Sequence, residues 1–201
     1  MRGDGDHPVV MQVTYPKGEI SKTFNSWFRA EAGMSNGKAG CLQYAVRFEP
    51  GFDFVKGGKL PGLFGGDAPS GGKKVTGYNG FTTRYMWRRN GVGELYGYFV
   101  NKHEPKFGES VRRRSFRFWP GTWTLLEQEV IMNDPDKANG ILRVWVDGEQ
   151  FIAADDIACR ATKSIGVSGL YFSTFFGGGD LSWAPDKDEY VQFADFRLYA
   201  Q

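Results

Sequence analysis

The chain has 201 residues and a formal net charge of +2, a length that fits one β-sandwich domain, residues 1–201, around a single core. No apolar run approaches the ~20 residues that span a bilayer, so no membrane association is expected. Two histidines and two cysteines argue against a histidine-rich metal centre or a disulfide framework; Cys41 and Cys159 are expected either to pair or to stay as buried free thiols.

The charge is unevenly spread. Residues 54–118 hold 13 Lys+Arg against 4 Asp+Glu, a local balance of +9, and the rest of the chain carries −7. That asymmetry points to an anionic partner for the middle segment, with solvated exposed faces as the bland alternative.

In chain order, short apolar or alternating runs predict strands at 41–48, 80–88, 93–101, 115–118, 123–132, 140–146, 166–175 and 191–199. Turn signals separate them: Asn90-Gly91, Asp134-Pro135 and Asp147-Gly148. Segments 56–74 and 176–189 are rich in Gly, Pro and charge and read as long functional loops. No repeat and no long amphipathic helix interrupts the pattern. The fold class expected from this pattern is all-β, a two-sheet antiparallel sandwich or jelly roll.

Within 80–88, alternation puts Thr82, Arg84, Met86 and Arg88 on one face and Phe81, Thr83, Tyr85 and Trp87 on the other. Within 93–101, Glu94, Tyr96 and Tyr98 share a face. If the two runs pair about Asn90, Thr82 opposes Tyr98 and Arg84 opposes Tyr96, and directly opposed residues point the same way. A register shifted by one residue puts the tyrosines on the other side.

These groups match the needs of β-elimination from a uronate. A base removes the proton at C5, beside the carboxylate, while the bond from C4 to the glycosidic oxygen breaks. A cation at the carboxylate stabilises the charge that builds up there. A phenol with positive neighbours can act as base and then as acid to the leaving oxygen. Lys59 joins the set from Lys56-Gly57-Gly58-Lys59-Leu60-Pro61-Gly62-Leu63, where the glycines allow close approach of backbone to a ligand; a glycine-rich surface loop with solvated lysines is the alternative.

The Lys-Gly-Gly-Lys-Leu-Pro-Gly-Leu segment, Thr82-Thr83-Arg84 and Tyr96-Gly97-Tyr98 resemble polysaccharide lyase family 14, which contains alginate lyases and glucuronate-polymer lyases. The resemblance continues in Phe116-Arg117-Phe118-Trp119-Pro120-Gly121-Thr122-Trp123, Val144-Trp145-Val146-Asp147-Gly148 and 171–178. Fungal glucuronan lyases share a similar lysine-glycine loop. The resemblance implies a concanavalin-like β-jelly roll with a substrate groove on its concave sheet, an essential lysine at Lys59, a hydroxyl-x-arginine pair at Thr82 and Arg84, and two tyrosines at Tyr96 and Tyr98. Thr82 departs from the serine of the family pattern but keeps the hydroxyl.

On that reading Arg84 and Lys59 neutralise the substrate carboxylate and Tyr98 is the base, with Tyr96 as the other candidate. Arg88, His103, Arg114 and Lys56 are expected to bind neighbouring uronates. Arg112-Arg113-Arg114 lines the groove or caps a strand in solvent. No cofactor and no metal is expected; Asp186-x-Asp188 offers too few oxygens for calcium. The expected partner is an acidic polysaccharide, not nucleic acid, and the expected state is a monomer. A secreted or extracellular protein whose export signal lies outside this sequence is expected, with a virion-associated or intracellular form as the alternative.

Other classes fit less well. A glycoside hydrolase needs two carboxylates across the scissile bond, and Glu127-x-Glu129 is the only close pair on a predicted strand, with Glu94 the one acid on the basic face. A non-catalytic polysaccharide-binding module is the main rival, and the joint presence of Lys59, Tyr96 and Tyr98 counts against it.

Overall fold

The computed structural model describes residues 5, 7–33, 36–101, 103, 106–113 and 115–201. Among them the strands are β1 (Met11–Tyr15), β2 (Ser26–Glu31), β3 (Ala39–Phe48), β4 (Gly57–Gly66), β5 (Gly80–Arg88), β6 (Val92–Tyr98), β7 (Glu109–Ser110), β8 (Phe116–Arg117), β9 (Trp123–Ile131), β10 (Gly140–Val146), β11 (Glu149–Ile157), β12 (Gly169–Phe176) and β13 (Glu189–Ala200). One sheet runs β1-β13-β3-β9-β10-β11 and the other β2-β12-β4-β5-β6-β7, with β8 also paired to β6. All pairings between named strands are antiparallel. The two-sheet jelly-roll sandwich expected from the sequence is what forms.

Alternation creates the core. Along β9 and β10 every second residue is buried, so Leu126, Val130, Leu142 and Val144 meet Trp87, Phe172 and Tyr85 from the other sheet. Aromatic rings fill the interior in tilted and edge-on pairs, such as Phe48 with Trp87 at 5.5 Å and Phe172 with Phe193 at 5.1 Å. Several polar tips that alternation carries inward find partners across the core, while Trp87 Nε1 and Gln128 Nε2 are left without one among the described residues. Tyr44 donates to the Pro61 carbonyl at 3.0 Å, Tyr85 to that of Glu127 at 2.7 Å, and Thr83 to Gln128. These bonds lock β4 and β5 to β3 and β9.

Two turns form as their sequences require. Asn90 and Gly91 both have positive φ (58° and 75°), as do Asp147 and Gly148, the backbone that Asn-Gly and Asp-Gly hairpins favour. The β5–β6 register then pairs Thr82 with Tyr98 and Arg84 with Tyr96, so the pairing about Asn90 holds.

Segment 56–74 is not one long loop. Its residues 57–66 are β4, a buried strand at the centre of the second sheet. Glycine and proline weaken strands because they lack a side chain or a donor; here they are tolerated for lack of room. A Cβ on Gly62 would lie 1.7 Å from the Thr83 carbonyl, and one on Gly58 would meet the Trp87 ring. Pro61 sits where the β4–β5 register shifts between Lys59 and Gly62. The thiols are both free: Cys159 is buried, but Cys41 is exposed on β3 and not buried.

Candidate active site

The outward face of the second sheet carries the chemistry. From β4 comes Lys59; from β5 come Thr82, Arg84, Met86 and Arg88; from β6 come Glu94, Tyr96 and Tyr98. β12 adds Tyr171 and Ser173, whose neighbours Leu170 and Phe172 turn into the core. The register shift at Pro61 matters here, because it keeps Lys59 beside Met86 while Gly62 lies under Arg84.

Lys59 and Arg84 are only 8% and 3% exposed, and among the described residues neither has a carboxylate within salt-bridge distance. The Lys59 ammonium touches the Met86 sulfur and lies 3.3 Å from the centroid of the Tyr96 ring. Burial, then the charges of Arg84 and Arg88, hold its pKa well below the usual ammonium range, with Glu94 opposing. Arg84 donates from Nη1 to Ser173 at 3.2 Å, lies over the Tyr171 ring at 5.1 Å, and leaves its buried Nε without a protein partner. Burial lowers its pKa as well, yet a guanidinium stays charged at any ordinary pH. Ser173 in turn lies 3.5 Å from the Asn25 amide oxygen.

Tyr96 is half-buried, with its pKa pushed up to about 12 by burial and by Tyr98, against Arg88 and Arg84. Tyr98 meets it edge-on at 6.0 Å and accepts a hydrogen bond from Gly72 N–H at 3.2 Å. Thr82 donates to the Pro69 carbonyl at 3.0 Å. The 67–79 connection therefore covers the Thr82–Tyr98 end of the hairpin, and Tyr98 is only 2% exposed.

The remaining expected residues are more dispersed. Arg88 points along the same face, 5.9 Å from the Tyr96 ring, but is bound to Glu94, which also accepts from Ser110 at 2.7 Å. His103 is 93% exposed; with Glu109 it lines a hollow of about 860 Å³ that reaches Tyr96 and Arg88. Lys56 bonds Ser182 and faces Trp183 at 5.8 Å, in a smaller hollow beside Arg88 and Arg89. Arg112 is held by Asp156 at 2.8 Å, and Arg114 lies outside the described residues. Sequence reasoning gave no role to Tyr171, Ser173 or Asn25. The alternation of 169–176 was the available signal for the first two, since it sets Tyr171 and Ser173 apart from the core-facing phenylalanines.

A jelly-roll sheet that presents a buried lysine and arginine beside tyrosine hydroxyls, with no pair of facing carboxylates among the described residues, suits an enzyme that handles a polyanion. The family model for polysaccharide lyase 14 matches residues 4–196, and the chain belongs to that family; it is a polysaccharide lyase. The chain is similar to the marine alginate lyase of Aplysia kurodai, with 33% identity over 96% of this chain and 83% of that one and a TM-score of 0.80. Two further structures share the fold. An alginate lyase from Chlorella virus is 20% identical over 96% of this chain and 85% of its own, with a TM-score of 0.75. An endo-β-1,4-glucuronan lyase from the fungus Trichoderma reesei is 13% identical over 96% and 80%, with a TM-score of 0.61. No curated protein matches the chain.

Proposed function

We propose that this lyase cleaves a polymer of 1,4-linked uronates by β-elimination, at the face formed by Lys59, Arg84, Tyr96 and Tyr98. The observation that carries the reading is the buried Arg84 guanidinium, charged and without a carboxylate partner among the described residues, with its Nε unpartnered. Burying an unpaired charge is expensive, and an anionic substrate supplies the missing counter-charge. A uronate carboxylate against Arg84 satisfies the orphaned Nε and takes up the negative charge that develops during C5 deprotonation.

The proton chemistry then divides by environment. Lys59, whose charged form is disfavoured, is the base: its neutral amine takes the C5 proton. Tyr96, which holds its proton tightly, donates to the departing glycosidic oxygen at C4. Two groups whose surroundings push their pKa values apart are suited to opposite roles. This reverses the sequence-based expectation of a tyrosine base with Lys59 as a carboxylate ligand. A tyrosine base has one supporting observation, the Gly72 N–H aimed at the Tyr98 oxygen, where it stabilises negative charge.

Both groups come from one sheet face and approach the sugar from one side. In D-mannuronate and D-glucuronate the departing proton and oxygen lie on the same side, whereas L-guluronate needs groups on opposite sides. Polymannuronate or glucuronan is therefore the favoured substrate. The test is ultraviolet absorbance of the C4–C5 unsaturated product during incubation with polymannuronate, polyguluronate and glucuronan separately. A rise on polymannuronate or on glucuronan is the expected result. No rise on any polymer, together with tight binding to one, overturns the reading in favour of a binding module.

A further inference from the structure

Edge strand β2 was invisible in the sequence, and it places an unexplained pair of side chains on the active face. Trp27 opposes Ser173 and Arg29 opposes Tyr171 in the β2–β12 register, so both point the same way as the two residues that contact Arg84. The residue between them, Phe28, turns the other way and stacks on the core ring Phe172 at 4.6 Å. Trp27 is 60% exposed, a large apolar surface left open on a polar face. Arg29 is exposed too, lies over the rings of Phe64 and Tyr171 at 5.4 and 5.7 Å, and donates to the Asp67 carbonyl at 3.1 Å. Among the described residues no carboxylate lies within salt-bridge distance of it.

The position is in line with the chemistry. Ser173 sits between Tyr171, whose partner Gly62 lies under Arg84, and Phe175, whose partner is Lys59. Trp27 therefore continues, on the outermost strand, the row that holds the Lys59–Arg84 pair. Two strand spacings of about 4.8 Å separate β2 from β4, and a 1,4-linked sugar advances by about one such spacing. Asn25 bridges the two regions through Ser173.

We propose that Trp27 and Arg29 form an outer saccharide subsite, in which the indole stacks on the apolar face of a uronate about two sugars from the scissile bond and the guanidinium takes its carboxylate. An aromatic plane suits the C–H face of a pyranose, and a cation set along the same strand matches the charge each sugar carries. The polymer then crosses the strands instead of following them, and affinity for long chains is set at β2. This rests on the elimination reading above.

The experiment is a series of oligouronates of increasing length, together with the polymer, assayed for unsaturated product with wild type, Trp27→Ala and Trp27→Phe. Wild type should show a step in kcat/KM when the oligomer becomes long enough to reach β2. Trp27→Ala should lose that step, about tenfold and through KM, which corresponds to about 1.4 kcal/mol, and match wild type on the shortest cleaved oligomer. Trp27→Phe should retain most of the step, because a ring is still present. Equal behaviour of wild type and Trp27→Ala on every length overturns the subsite and leaves the lyase reading intact. Loss with Trp27→Ala that is uniform across all lengths also overturns it, by showing a general structural effect. Absence of product from wild type on every substrate defeats the lyase reading instead.

Discussion

The Lys59 ammonium lies on the face of the Tyr96 ring, 3.3 Å from its centroid. The ring is the main polar contact the amine has besides the Met86 sulfur, and neither accepts a proton. Such an amine is loosely engaged, disfavoured as a cation by its burial and then by the charges of Arg84 and Arg88, and free to turn toward a substrate C–H. The contact also joins the two groups that the proposed elimination uses in sequence, so a proton gained by one is near the donor that must be restored.

Lys59→Arg separates the two candidate roles of that lysine. Arginine keeps the charge but does not give up its proton at working pH. If Lys59 is the base, Lys59→Arg and Lys59→Ala should both lower kcat at least about a hundredfold, the lower end for loss of a general base. If Lys59 only neutralises the carboxylate, Lys59→Arg should keep much of the rate while Lys59→Ala loses it. Steady-state kinetics on polymannuronate and glucuronan gives the answer.

The same assignment fixes the pH profile. Lys59 must be neutral to act, and its folded-state pKa is well below 10.5, so kcat/KM should climb as pH rises through that lowered value and then level off. Tyr96 must be protonated, and with its pKa pushed up to about 12 it sets no falling limb until strongly alkaline pH. Tyr96→Phe should therefore lower kcat while the rising limb stays in place. A profile that lost its rising limb in Tyr98→Phe would return the base role to Tyr98.

The hairpin register, and with it the Arg84–Tyr96 pairing, was legible because Asn90-Gly91 fixes the turn and alternation does the rest. The chemical content of the site followed from that register. β4 was not legible: its Gly-Gly-Lys-Leu-Pro-Gly composition carries every local signal of a loop, and only the crowding by Trp87, Phe175 and the Thr83 carbonyl explains why a strand must be built from it. β2 escaped for a different reason. As an edge strand its residues 26–31 are mostly exposed, so no buried face imposed a pattern. Burial itself was also hidden, since nothing local distinguishes Lys59 from solvated Lys56.

Gly62→Ala tests the claim that β4 is glycine-rich from lack of room. The new Cβ would lie 1.7 Å from the Thr83 carbonyl and 2.6 Å from the Arg84 Cα, both backbone, so the strands must separate. Overpacking of this kind costs about 1–3 kcal/mol or more. Thermal melting should show a clear drop in Tm, and any folded protein should have lost activity, because Arg84 rides on the displaced strand. Gly71→Ala, in the connection where a Cβ meets nothing within 4 Å but φ is +62°, should lower Tm much less.

In the other sheet, the start of β13 holds a pH-sensitive element. Glu189 has no exposed surface; it accepts from Asp53 N–H at 3.0 Å, has Lys187 at 3.5 Å, and hydrogen-bonds Glu49, whose own carboxylate accepts from Tyr190 N–H at 2.9 Å. Burial and then the Glu49 carboxyl raise its pKa from 4.5 to about 7, against the Asp53 N–H and Lys187. Between those values the folded protein holds a proton that the unfolded chain has released. Stability from this group is thus complete below about pH 4.5 and is lost as pH rises through about 7. The loss is on the order of 3 kcal/mol. Glu189→Gln keeps the shape without a charge to bury, so its Tm should exceed that of wild type above neutral pH, with the difference shrinking toward acid. Parallel Tm curves for the two proteins across that range would show that Glu189 does not carry the shared proton.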